Sequence, residues 1–182
     1  ISQLIRTVYP DLQDHPSVLG RPGVTGMRHN LFWLDHDHME DTYHDHVHVT
    51  SHSNRWEARM ATALVRHLIR QREYKPADIA LLTPSAGPLR RLTNALSNEF
   101  EVFLVEKDTK ESSQNEECEQ DPAARRSVEK RRLTQALRLA TVDNFQGEEA
   151  KVVIVSLVRN NPEGKVGFLR TENRINVLLS RA

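Results

Sequence analysis

The sequence predicts an α/β fold, a mainly parallel sheet flanked by helices. Short apolar, β-branched runs recur as buried strands: "DIALLTP", "EVFLVE", "LRLATV" and "KVVIVSLV". Segments of helical periodicity stand between and after them. The resulting order, strand, helix, strand, then strands before a final helix, is that of a parallel sheet.

In chain order, residues 1–8 read as a short helix. Pro10, Pro16, Gly20, Pro22, Gly23 and Gly26 then mark a long irregular segment. "NLFWLD", residues 30–35, reads as a first strand, and a histidine-rich segment follows to His52. In "NRWEARMATALVRHLIRQR", Ala58, Ala61, Leu64, Val65, Leu68 and Ile69 recur at helical spacing. Asn54 with Glu57 three positions on fits a capping box. "GPLRRLTNALSNEF" is helical, with Leu89, Leu92 and Leu96 on one face, and "TENRINVLLSRA" forms the last helix. Residues 107–120 are polar and mostly acidic and residues 125–132 are basic, so a flexible insertion is expected over residues 106–132.

The 182 residues, 38% hydrophobic and 27% charged, suit one soluble globular domain. No apolar run approaches the roughly 20 residues a membrane helix needs. The chain opens on Ile1 and stops at Ala182 just after a helical pattern. It therefore reads as a fragment, and the lack of a secretory signal carries little weight. Cys118 is the only cysteine. No intrachain disulfide is possible, which favours a reducing compartment, nucleus or cytoplasm. The formal net charge is zero, which leaves a locally basic nucleic-acid groove open.

In parallel sheets, ligands bind beyond the carboxyl ends of the strands. Three places are expected there: Thr83-Pro84, the stretch from Thr141 to Glu149, and Arg159 to Asn161. The middle one, "TVDNFQGEE", crowds Asp143, Asn144, Gln146, Gly147, Glu148 and Glu149 against a core strand, more polarity than a turn needs.

These residues resemble a known family. "TVDNFQGEE" resembles motif V of up-frameshift-type superfamily 1 helicases, "ENRINVLLSRA" their motif VI, and "IALLTP" their motif IV. "FLRTENRINVLLSRA" with "SLVRNN", together with "YPDLQDHPSV" and "NLFWLDHDHMED", resembles the NFX-type zinc-finger branch, which is tied to RNA silencing and surveillance. The resemblance implies a RecA-like (P-loop NTPase-type) fold and places residues 1–182 as the second of two RecA-like domains. ATP with Mg2+ would lie between the two domains, held mainly by the first. No phosphate loop is present here. Gly164-Lys165 is followed by Val166, and Arg159 stands where the earlier glycine belongs.

The resemblance assigns roles residue by residue. Arg181 would reach the γ-phosphate as an arginine finger. On residues alone it reads as a cation that ends a helix favourably. Arg174, two turns earlier on the same helix face, can contact phosphate, position the motif, or pair with Asp143 or Glu149. Gly147 and Glu149 would adjoin the nucleotide, since glycine lets backbone N–H groups approach phosphate. Glu149 better suits a ribose hydroxyl, a water or an arginine. Gln146 and Asp143 would couple the nucleotide and nucleic-acid sides, with a turn cap as the alternative for Asp143. Phe145 is expected in the core. Thr83, Thr141 and Gln146 would face nucleic acid, where such backbone contacts are not sequence-specific. Ser85 and Pro88 depart from the family's aromatic and glutamine after "TP". The implied partners are single-stranded RNA or DNA, the first RecA-like domain, and RNA-silencing proteins.

Two rivals stand beside that reading. One is a catalytically silent RecA-like scaffold of a silencing complex, which Ser85 and Pro88 favour. The other is a metal site. His44, His46 and His48 would share one face of a strand and could hold zinc, against a solvated loop spanning His36, His38 and His52. Arg55, Arg59, Arg66, Arg70 and Arg72 form either a nucleic-acid face or, for most of them, a solvated helix face.

Overall fold

The computed structural model describes residues 2–44, 50–105 and 136–180. Its core is a four-stranded sheet in the order β4-β5-β3-β6. The strands are β3 (Ile79–Thr83), β4 (Val102–Val105), β5 (Leu137–Thr141) and β6 (Val152–Val155). Every neighbouring pair is parallel, as expected of a RecA-like α/β fold. Central β3 is buried along its whole length because both faces are covered, so it reads as an unbroken apolar run rather than an alternation.

On one face lie α2 (Arg55–Arg70) and α3 (Ala86–Leu96). Their Ala61, Val65, Leu68, Leu89, Leu92 and Leu96 pack on Ile79, Leu81, Leu137 and Leu139. The helical stripes predicted these contacts. The opposite face carries Ala80, Leu82 and Ala140, with Phe145 seated on them. The small alanines leave room for its ring, and Phe145 is 1% exposed. Asn54 caps α2, its Oδ1 accepting from Trp56 N at 3.0 Å and Glu57 N at 3.1 Å.

The amino-terminal third departs from expectation. Residues 30–35 form no strand; Leu31, Phe32, Trp33 and Leu34 are exposed, Trp33 at 68%. Apolar, aromatic character suits a strand, but here the stretch has no ladder to join. The pairing occurs later, where β1 (Asp41–His44) runs antiparallel to β2 (Thr50–Ser53). The expected helix over residues 1–8 is a single 3-10 turn, Ser2–Ile5, and α1 is a short helix at Pro16–Leu19. The final helix, α4, spans Glu172–Leu179. The expected insertion at residues 106–132 lies outside the described residues.

Candidate nucleic-acid and nucleotide site

The parallel register sets Thr83 opposite Thr141 at the carboxyl edge of the sheet. Val142 N donates to Thr83 O at 3.0 Å and Ser156 N to Leu82 O at 2.9 Å. The three strand ends that the sequence pointed to thus adjoin. Thr83 is 0% exposed, and its hydroxyl donates to Ser85 O at 2.8 Å. A buried hydroxyl finds its partner inside the fold; Thr83 and Pro84 are buried altogether, and exposed chain at this strand end begins at Ser85. The Thr141 hydroxyl accepts from Asn144 N at 3.3 Å, and Phe145 N donates to Thr141 O at 3.0 Å, which turns the chain sharply.

Beyond this turn the link to β6 leaves the edge. Both β5 and β6 run parallel to β3, so the chain must return to the amino end of the sheet before β6 starts. Lys151 N donates to Asp78 O there, at 2.9 Å. Glu149, whose carbonyl is bonded to Arg138 early in β5, therefore lies down the sheet face, a correction to its expected place on the carboxyl edge. Asp143, Gln146, Gly147, Glu148 and Glu149 are exposed along this link. Gly147 adopts φ +89°, and nothing lies within 4 Å of where a Cβ would stand. That is an open backbone in a conformation L side chains resist.

The link is anchored by Arg138, which sequence reasoning did not single out. From β5, its Nη2 donates to Glu149 O at 2.6 Å. Its Nη1 lies 3.5 Å from Glu148 Oε2, and its guanidinium stands 5.8 Å from the Phe145 ring centroid. A charged residue inside "LRLATV" was the available signal.

A second group of contacts holds the stretch after β6. Glu57, expected to complete a capping box, instead accepts from Ser156 Oγ at 2.6 Å and Val158 N at 3.0 Å. Glu40 accepts from Arg159 Nε at 2.8 Å, Asn160 N at 3.1 Å and Asn161 Nδ2 at 3.4 Å. Burial pushes the Glu40 carboxyl up, but hydrogen bonds from Arg159 and Asn161, with the charges of Arg159 and His52, outweigh it and hold it below its ordinary value. His52 Nδ1 lies 2.9 Å from Glu40 Oε1 without hydrogen-bond geometry, so that contact is ionic only when the ring is protonated. Asn160 Nδ2 donates to the carbonyls of His36 and His38. These two rings pack on Trp56, each 4.4 Å away between centroids, and His36 Nε2 lies 3.3 Å from Glu57 Oε1. His36, His38 and His52 are thus built into the fold beside the carboxyl edge. Of the proposed zinc ligands, the His44 side chain, His46 and His48 lie outside the described residues. Among the described residues, no three His, Cys, Asp or Glu are placed to hold a metal.

Arg174 is exposed on α4, which packs on Gly167–Arg170 and Ser2–Ile5. Arg181 lies outside the described residues. Of the basic residues on α2, Arg66 pairs with Glu99 and Arg55 with Asp41. Among the described residues, no helix is long and apolar enough to cross a membrane.

Comparison with known proteins converges on one family. Residues 9–182 match the family described as "AAA domain". The human NFX1-type zinc finger-containing protein 1 is 34% identical over 175 residues, 96% of this chain and 7% of that protein. "Helicase required for RNAi-mediated heterochromatin assembly 1" of Schizosaccharomyces pombe is 32% identical over 183 residues, 100% of this chain and 15% of that protein. "Putative ATP-dependent RNA helicase ECM32" of Saccharomyces cerevisiae is 30% identical over 169 residues, 86% of this chain and 15% of that protein. The chain thus spans a small part of the length of these relatives. With its RecA-like sheet and the motif order of "IALLTP", "TVDNFQGEE" and "ENRINVLLSRA", the chain belongs to the AAA-domain family, in the branch of up-frameshift-type superfamily 1 helicases that includes the NFX1-type zinc finger proteins.

Proposed function

We propose that this chain is the second RecA-like domain of an ATP-dependent helicase that works on single-stranded RNA, with DNA as a second possible strand. The observation that carries this is the parallel register aligning Thr83 with Thr141 at the carboxyl edge, beside a link whose Gly147 is open and left-handed. The exposed chain just past this edge, Ser85 to Gly87, would suit the sequence-independent phosphate contacts of a motor.

These residues would form one side of a nucleotide site. Gly147 would let backbone approach phosphate, the space left by its missing Cβ being open. Glu149 would take a ribose hydroxyl, a water or an arginine. ATP, bound with Mg2+ mainly by the first RecA-like domain, would supply the phosphoryl group. Arg181 would then neutralise charge developing on that group, and Arg174 would position it or meet phosphate itself. Asp143 and Gln146, at the start of the link, would couple the nucleotide face to the strand edge carrying Thr83 and Thr141. RNA-silencing proteins would be the assembly partners.

The 182-residue chain alone should not hydrolyse ATP, whereas the full-length protein should do so with stimulation by single-stranded RNA. Turnover by the isolated chain overturns the division of labour. RNA binding without turnover by the full-length protein supports instead a silent scaffold, the reading that exposed Ser85 and buried Pro88 favour.

A further inference from the structure

We propose that Glu40 and Glu57 are positioning residues that hold residues 156–161 in the path the nucleic-acid side of the site requires. The inference rests on the helicase reading above and deepens it.

The two carboxylates come from different elements and converge on one six-residue stretch. Glu57, in the first turn of α2, fixes its start at Ser156 and Val158. Glu40, just before β1, fixes its end at Arg159, Asn160 and Asn161. Between them Val158 adopts φ +69°. That is a left-handed backbone on a β-branched residue, which persists only where its surroundings over-determine it. Arg159 N donates to Leu157 O at 2.7 Å, closing a tight three-residue turn around it. From the far side, Gly167 makes room for the clamp. A Cβ there, at φ +54°, would stand 2.2 Å from Arg159 Nη1.

Stability alone does not account for this arrangement. The side chains of Glu40 and Arg159 are only 5% and 15% exposed, and a buried ion pair adds little net stability once its desolvation is counted. An ordinary turn would end β6 without strain. The strained one leaves the sheet a single strand from Thr83, since Ser156 N is bonded to Leu82 O. What two desolvated carboxylates secure here is a defined geometry beside the strand ends.

The test uses the full-length protein and follows ATP hydrolysis against the concentration of a uridine oligonucleotide. In Glu40→Gln and Glu57→Gln, half-maximal stimulation should need at least about tenfold more RNA. The maximal rate at saturating RNA should stay within about twofold, the pattern of lost binding rather than lost chemistry. Gly167→Ala, which displaces Arg159 without touching either carboxylate, should give the same split and carries the test if a Gln variant fails to fold. An unchanged half-saturating concentration, or a maximal rate that falls only in step with melting temperature, overturns the inference. If the unsubstituted protein shows no RNA-stimulated hydrolysis, the helicase reading falls, and the inference with it.

Discussion

Replacing Arg138 with Met tests how the motif link is held to the sheet. Methionine keeps most of the aliphatic length and removes the guanidinium. The lost bond to Glu149 O is charge-assisted and contributes about 1.5–3 kcal/mol. The cation over Phe145 adds about 0.5–1 kcal/mol. Glu148 is half exposed, so its ion pair adds close to nothing. Against these, Arg138 Nε is buried without a partner among the described residues, and removing it relieves about 1 kcal/mol or more. The net loss should be about 1–3 kcal/mol. Urea unfolding measures it, and amide exchange locates it. Glu148 N, which donates to Phe145 O at 3.1 Å, should exchange faster, while the amides of β3 should not. A stability change under about 0.5 kcal/mol with unchanged Glu148 exchange would refute Arg138 as the anchor.

Two further outcomes follow from named contacts. Glu40 is held below its ordinary carboxyl value of 4.5 in the folded chain. The unfolded state therefore binds more protons near that pH, and stability rises with pH there and is lost as pH falls through the depressed folded value. Urea midpoints between pH 3 and about 6 should show this limb, to which Asp78 and Glu99, also held low, contribute, and Glu40→Gln should make it shallower; an equal slope in both would contradict the contact. Gly147→Ala should cost about 1–2 kcal/mol from the positive φ alone, since the space is open, and Gly147→Asn should cost less. Equal losses for both in urea unfolding would mean that contact, not backbone conformation, decides.

The core was the most legible part of the fold. β3 to β6 are covered on both faces or paired at their neighbours, so apolar runs named them directly. The stripes of α2 and α3 likewise reported a face that the structure buries. Residues 30–35 misled because β-type composition cannot say whether a pairing partner exists. The carboxylates of Glu40 and Glu57 escaped notice for a related reason. Their partners lie 119 to 121 and 99 to 101 positions away, and local spacing suggested only a cap for Glu57. Strand order put residues 141–149 at the ligand edge, which holds for Thr141 but not for Glu149, since a parallel return must travel to the other end of the sheet. The polar crowd in "TVDNFQGEE" is thus a path across a face, with Phe145 as its apolar footing.

The proposed function depends most on the role proposed for Arg181, completing a nucleotide site shared with the first RecA-like domain. The direct measurement is RNA-stimulated ATP hydrolysis by the full-length protein with Arg181→Ala. We predict a fall of at least about 10²-fold, on the scale of a lost arginine finger. A rate close to that of the unsubstituted protein would contradict the account.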